Sequence, residues 1–585
     1  MARKKDKKKE KKGGGDKDLV ASALLGSLKS RGQAGAGTAA GGTSSLLEKL
    51  MAGSTSALAS APGIGSKKRR GAHKTTLGVQ ERLQRAELDT RPWVEILADE
   101  AHWIPLPFTH GLEIELLIVD DQGNYLKGED MVHRMTEMVK DATEIMTQVI
   151  ARERTDFYPN GMFHYLPRFI HSKLGANPFT KNDVEKGLCM DIRYRVGEGF
   201  VDVDCFGRDG NVAAITYILE LVTPPCEYVE EMAYWASTLF SLAKTTLPRD
   251  LHIMATALNP RTVEYQRGLS QGLHSHIGTF KSELEKAQVY DMLRNFLPHM
   301  IALSVNSPII RNAPTDVIKV RDGRITSPNC VRSLRLKFNT TMLSSSDPNH
   351  FLPYLTSLDQ QAQQHFLATV QKASMEDARF QDVFPFTDWG TIELRVMDTQ
   401  ISICRTIGLA MLVQLLAYKA RKIVEAGRLV PDPGPHMIVA NRTQAIERGL
   451  IGIYRTADER VDPIAEVDPE FAACYFGSPE RPVRYLFDAV KNMFYYLRRE
   501  MKELGFVYSP FFKPILQSVF GDIDYAKPPI TEAEYQLSVY SFKLQQGETQ
   551  PDLVNDLIYF TVEYSKDPLS HPLIGQLNLP PDLIK

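Results

Sequence analysis

Acids, histidines and an arginine recur in this sequence two residues apart, inside short apolar runs. Gly111–Val119 (GLEIELLIV) holds Glu113 and Glu115, Tyr217–Thr223 (YILELVT) holds Glu220 as its one charge, and Gly272–Gly278 (GLHSHIG) holds His274 and His276 between glycines. Trp389–Asp398 (WGTIELRVMD) sets Glu393 two residues before Arg395. Side chains alternate along a β-strand, so each pair shares a face, while Leu112, Ile114 and Leu116, or Ile392, Leu394 and Val396, line the other. Carboxylates and imidazoles gathered in this way can hold Mg²⁺ or Mn²⁺ with phosphates, and an arginine fork suits phosphate or carboxylate.

Taken singly, each segment has a plain structural explanation. Two acids on one strand face suit a solvated edge, Glu220 could pair with a core arginine, and Glu393 with Arg395 could form a surface ion pair. The His-x-His pair also leaves open a zinc-dependent hydrolase, although no second nitrogen or sulfur motif at ligand spacing accompanies it. There is no GxxxxGK[ST] loop, GxGxxG turn or HExxH helix, so a nucleotide would have to bind through metals and arginines on a sheet.

The elements that must position these residues occupy the middle of the chain. Of its 585 residues, 43% are apolar and 24% charged, ordinary for a large globular enzyme. Residues 1–75 carry 17 Lys or Arg against 5 Asp or Glu, a surplus of +12 that leaves −14 on the rest of a chain whose net charge is −2. This low-complexity tail cannot bury enough apolar surface to offset chain entropy and is expected to be disordered, suited to weak contact with nucleic acid or an anionic surface. Six scattered cysteines without a CxxC pair fit reduced thiols in a cytoplasm. No uninterrupted apolar run of 18 residues suggests a membrane span.

A helix is expected over 78–88, then alternating strands and helices to about residue 426. Val430-Pro-Asp-Pro-Gly-Pro435 breaks the pattern, so we divide the chain into a tail (1–75), a catalytic domain (76–430) and a helical region packed on it (431–585). The clearest helix expected there starts at Ser478 as N-cap with Pro479 next and ends at Gly505, burying Val483, Leu486, Phe487, Val490, Phe494, Leu497 and Met501.

The ordered set GLEIEL, LELVTPPC, GLHSHIG, LSVNSP (Leu303–Pro308) and GTIELRVMD resembles the glutamate–cysteine ligase type 2 family over roughly residues 105–425. The resemblance implies an α+β fold with a glutamine-synthetase-like antiparallel catalytic sheet forming a funnel flanked by helices. It implies a cytoplasmic ATP-dependent ligase of the glutathione-biosynthesis type, in which the γ-carboxylate of glutamate is activated as an acyl phosphate and coupled to an amine, by default cysteine. Carried over by position, Glu113, Glu115, Glu220, His274 and Glu393 would bind metal, with His276 beside them. Glu393 and Arg395 would be catalytic, Arg395 stabilising the transferred phosphoryl group, and Asn306, Arg332 and Arg335 would line the substrate and nucleotide side. The sequence departs from the family pattern at an insertion near 131–208, whose Asp202 and Asp204 could add contacts or form a solvated edge. The amine acceptor therefore stays open to another amino acid, a polyamine or a protein lysine.

Overall fold

A computed structural model of the chain describes residues 92–124, 168–170, 190–196, 199–208, 211–263, 270–316, 318–321, 324–326, 329–339, 343–456, 461–521, 531–572 and 579–584. Between 168 and 217 it describes only the backbone. The basic tail, the helix expected at 78–88 and much of the 131–208 insertion lie outside the described residues.

Ten strands form one sheet: β1 Pro105–Asp120, β2 Arg168–Ile170, β3 Met190–Val196, β4 Gly199–Arg208, β5 Asn211–Val222, β6 Cys226–Tyr228, β7 Leu251–Met254, β8 Gly272–Gly278, β9 Val383–Phe384 and β10 Ile392–Asp398. Their order is β9-β10-β8-β1-β5-β4-β3-β2, with β6 and β7 also pairing β1, and every pairing is antiparallel. The expected α+β architecture, an antiparallel sheet flanked by helices, is what the chain adopts.

The apolar alternation sets how the sheet is covered. Leu112, Ile114, Leu116 and Ile118 turn into the main hydrophobic cluster, where α1 (Val229–Thr246) and α2 (Ile403–Glu425) pack against β1. Helix α2 is long and apolar enough to cross a bilayer, yet 94% of its apolar window is enclosed by the rest of the molecule, as in a core helix. The opposite face of β1 changes character midway. Glu113 and Glu115 are partly open, whereas Leu117 and Val119 join a second cluster with Leu537, Tyr540, Leu553, Val554 and Leu557. The helices that supply these residues, 532–545 and 554–564, thus close one end of the polar face. The turn after β1 fits closely against the second of them: a Cβ on Gly123 (φ +73°) would stand 1.9 Å from Val554 Cγ1.

The described residues beyond Pro435 are predominantly helical, and their side chains share the main cluster with those before Pro431. The helix expected from Ser478 is shorter and broken. Ser478 caps only a turn to Arg481, Pro482 holds the preceding residue out of helical conformation, and the helix starts at Leu486. Asp488 caps it, accepting from the backbone N–H groups of Arg484 and Tyr485 at 3.0 Å. A second piece, Arg498–Leu504, follows Leu497 and ends at Gly505 in the left-handed conformation, as expected.

Candidate active site

The four segments singled out in the sequence are adjacent strands, β10-β8-β1-β5, although the outermost two are far apart in the chain, one ending at Val222 and the other starting at Ile392. Register brings their polar residues onto one face. Glu393 pairs opposite His276, His274 opposite Glu113, and Glu115 opposite Glu220. Two acids directly opposed across a strand pair repel unless a cation lies between or beside them.

Glu113 is the hub. Its Oε2 lies 2.9 Å from His274 Nδ1 and its Oε1 3.2 Å from His276 Nε2, which is 3.9 Å from Glu393 Oε1. Two sets of potential ligands share it: Glu113 with His276 and Glu393, and Glu113 with Glu220 and His274. Within each set one ligand atom per residue lies within 4.8 Å of the others. Arg395 forms an ion pair with Glu393 and stands 5.4 Å over the Phe380 ring. Glu115 shares the face without joining either set; it accepts from the Gly272 N–H and sits 3.7 Å from His274 Nε2.

The electrostatics follow from this crowding. Burial pushes the Glu113 carboxyl up, but its hydrogen bonds and charge interactions with the two histidines win and hold it well below the usual carboxylate range. Burial pulls His276 down, and Glu113 and Glu393 more than restore it despite Arg395. For Arg395, burial is outweighed by Glu393, Glu113, Glu115 and Glu220, which hold the guanidinium charged. Such a face is built to receive positive charge. Mixed oxygen and imidazole donors fit Mn²⁺ readily and Mg²⁺ when phosphates complete the shell.

Three residues expected to line the ligand side lie elsewhere. Arg332, 1% exposed, donates through Nε to Glu534 at 2.7 Å and through Nη1 to the Cys330 carbonyl. Asn306 is fully buried; its amide nitrogen donates to the Thr399 carbonyl at 2.8 Å, and its oxygen accepts from Gln536 Nε2 at 2.7 Å. Both fasten the helix 532–545 to the core and do not join the ligand sets on the open face. Arg335 lies beneath the site, not on its face: it donates to the carbonyls of Arg395 (3.0 Å) and Met397 (3.3 Å). The glycine beside the histidines has the same cause. A Cβ on Gly272 would stand 2.2 Å from Arg335 Nη2, so that space belongs to Arg335 and not to a ligand. For Asp202 and Asp204 only the backbone register is described, with Asp202 opposite Glu220.

Sequence reasoning undervalued His276, which belongs to one of the two ligand sets, and missed Thr391, whose hydroxyl lies 3.2 Å from His276 Nδ1 and 2.8 Å from the Thr387 hydroxyl. Thr391 directly precedes β10 on the same side as Glu393, a signal available from the strand period. Two residues earlier Trp389 stands 86% exposed at the rim.

Comparison with known proteins bears on this face. Residues 244–468 match the family described as "Glutamate-cysteine ligase family 2(GCS2)", a span that includes β8 and β10 but not Glu113, Glu115 or Glu220. A Frankia casuarinae protein named "Putative glutamate--cysteine ligase 2-1" is 24% identical over 289 residues, 45% of this chain and 69% of that protein. An Azoarcus sp. protein named "Putative glutamate--cysteine ligase 2" is 30% identical over 185 residues, 31% of this chain and 44% of its own length. Among solved structures, a bifunctional glutathione synthetase from Pasteurella multocida has a TM-score of 0.38 at 13% identity, covering 78% of this chain and 51% of that one. A glutamate–cysteine ligase from Francisella tularensis in complex with AMP has a TM-score of 0.37 at 12% identity, covering 79% and 94%. Residues 244–468, which carry His274, His276, Glu393 and Arg395, are thus the part of this chain that is similar to the glutamate–cysteine ligase family 2.

Proposed function

We propose that the face shared by β10, β8, β1 and β5 is the active centre of an ATP-dependent carboxylate–amine ligase that activates the γ-carboxylate of glutamate and couples it to an amine, cysteine being the first candidate. One observation carries this reading: Glu113 serves two adjacent ligand sets, with Arg395 held at the outer one. Glu113, His276 and Glu393 would hold one divalent cation, and Glu113, Glu220 and His274 another. These cations supply charge neutralisation for phosphates. Glu115 adds negative charge beside His274 and fixes the Gly272 backbone.

ATP supplies the phosphoryl group that makes the carboxylate a good acylating centre, and the amine then displaces phosphate. This chemistry asks for positioning and charge and for no protein nucleophile, which suits a face where the described residues in the two ligand sets are carboxylates and imidazoles. Arg395 presents its guanidinium toward the transferred group, while Glu393 orients it and shares a cation. The hydrolase reading lacks support: both imidazoles face carboxylates next to Arg395, and the relatives above are named as ligases. The cytoplasmic placement and the glutathione-type product belong to this proposal as well.

The test is release of ADP and phosphate from ATP with Mg²⁺ or Mn²⁺ and glutamate across a panel of amines. Amine-dependent release identifies the acceptor. Absence of such release with glutamate or any other donor acid sinks the ligase reading, and turnover of an amide without ATP would revive the hydrolase.

A further inference from the structure

Arg395 sits where its strand leaves the ladder. β10 pairs with β8 at Ile392, Glu393 and Leu394 and again at Met397 and Asp398, with a register shift between Leu394 and Met397. A bulge of this kind re-aims a side chain and leaves backbone groups to be satisfied from elsewhere. The Arg395 N–H donates to the Asp382 carbonyl at 2.9 Å, and its carbonyl accepts from Arg335 Nη2 at 3.0 Å. Arg335, 4% exposed, also donates from Nη1 to the Met397 carbonyl, so one guanidinium spans the bulge.

Arg335 is itself anchored. Its Nη1 lies 3.6 Å from Asp398 Oδ1, and Asp398 accepts from the Ser333 hydroxyl (3.0 Å), the Ser307 hydroxyl (3.0 Å) and the Asn306 N–H (2.9 Å). The LSVNSP turn and the start of helix 334–338 are thereby tied to the strand that carries Glu393 and Arg395. A planar fork with fixed donors can hold two carbonyls at once, which an ammonium cannot do with the same geometry.

We propose that Arg335 is a positioning residue: by bonding the Arg395 and Met397 carbonyls in the bulge, with Asp398 as its anchor, it fixes the aim of the Arg395 guanidinium. The inference rests on the ligase reading of the face for its kinetic consequences, while its structural claim stands apart from that reading. A misplacement of about 1 Å in a group that stabilises a transferring phosphoryl costs roughly 100-fold in rate.

The test compares Arg335→Gln, Arg335→Lys, Arg395→Ala and the double variant Arg335→Gln/Arg395→Ala. Arg335→Gln should lower kcat by about 10- to 100-fold with KM for ATP changed by less than about threefold, and Arg335→Lys should recover part of the loss. In the Arg395→Ala background, Arg335→Gln should add nothing, because the two act in series. Independent multiplying losses, or a KM increase for ATP with kcat preserved, would mean direct contact with the nucleotide and overturn the proposal. If Arg335→Gln does not fold, Arg335→Lys alone decides by the same split between kcat and KM. Should the wild-type protein lack ATP-dependent turnover, the ligase reading fails, and crystal structures decide the positioning. Displacement of the Arg395 guanidinium from Glu393 in Arg335→Gln supports the inference, and an unmoved Arg395 overturns it.

Discussion

Two sets of charges lie within a few residues of one another and differ in what they face. On the open side of the sheet, Glu113, Glu115, His276 and Arg395 keep 16–25% of their side chains exposed and crowd like charges together. Below and behind them, Arg332–Glu534, Arg442–Asp382 and Arg335–Asp398 are enclosed, with exposures of 0–9%, and each acid has its cation. The enclosed pairs satisfy themselves and hold the fold. The open set is unbalanced toward negative charge, which suits it to a cation. Surplus charge of one sign gathered at a partly open face therefore marks the proposed site, where residue type does not.

The comparison can be broken at several points. The largest effect is expected on the open side: Glu393→Gln and Arg395→Ala should each lower kcat at least about 100- to 1,000-fold while the melting temperature stays within about 2 °C. Normal rates in both would misplace the site. Next, Arg442→Met leaves Asp382 buried without the cation that binds it through both oxygens. Chemical denaturation should register about 3–5 kcal/mol of lost stability, and a small change there with a large loss of ATP affinity would move Arg442 to the open set. Arg332→Met should behave like Arg442→Met.

A third prediction concerns pH. Burial pushes the Glu532 carboxyl up to about 8 in spite of Arg405. Its folded-state pKa is raised, so the folded protein holds this proton more tightly than the unfolded chain does. That contribution to stability is complete below about pH 4.5 and is lost as pH rises through about 8. Glu532→Gln should therefore be more stable than the parent at pH 8.5, with the difference shrinking toward pH 4.5; a constant difference across that range would refute the assignment. The smallest effect belongs to the surface pair Lys281–Glu425, 64% and 52% exposed, where Lys281→Ala should move the melting temperature by less than about 1 °C.

Strand identity and face were legible from period two alone, and Glu113, Glu115, Glu220, His274, His276, Glu393 and Arg395 do share a face. Their adjacency was not. β1 is flanked by β5 and β8, and β8 by β10, pairings set by long-range packing that no local pattern records. Arg332 and Arg335 looked alike in CVRSLR because a guanidinium suits a carbonyl or buried carboxylate as well as a phosphate. The bulge at Arg395 leaves no mark in the alternation, since GTIELRVMD reads as an unbroken strand. The helix does not start near Ser478 because Pro482, four residues later, overrides the N-cap signal.

The exposed indole at the rim has a practical consequence. Of the four tryptophans in the chain, Trp93, Trp103 and Trp235 are 9%, 2% and 6% exposed, and only Trp389 is open to solvent. A water-borne collisional quencher such as acrylamide should thus dim chiefly the emission arising next to Thr391 and Glu393. Protection of that component by nucleotide or amino acid gives an optical titration of the rim in the unmodified protein, and Trp389→Phe supplies the blank.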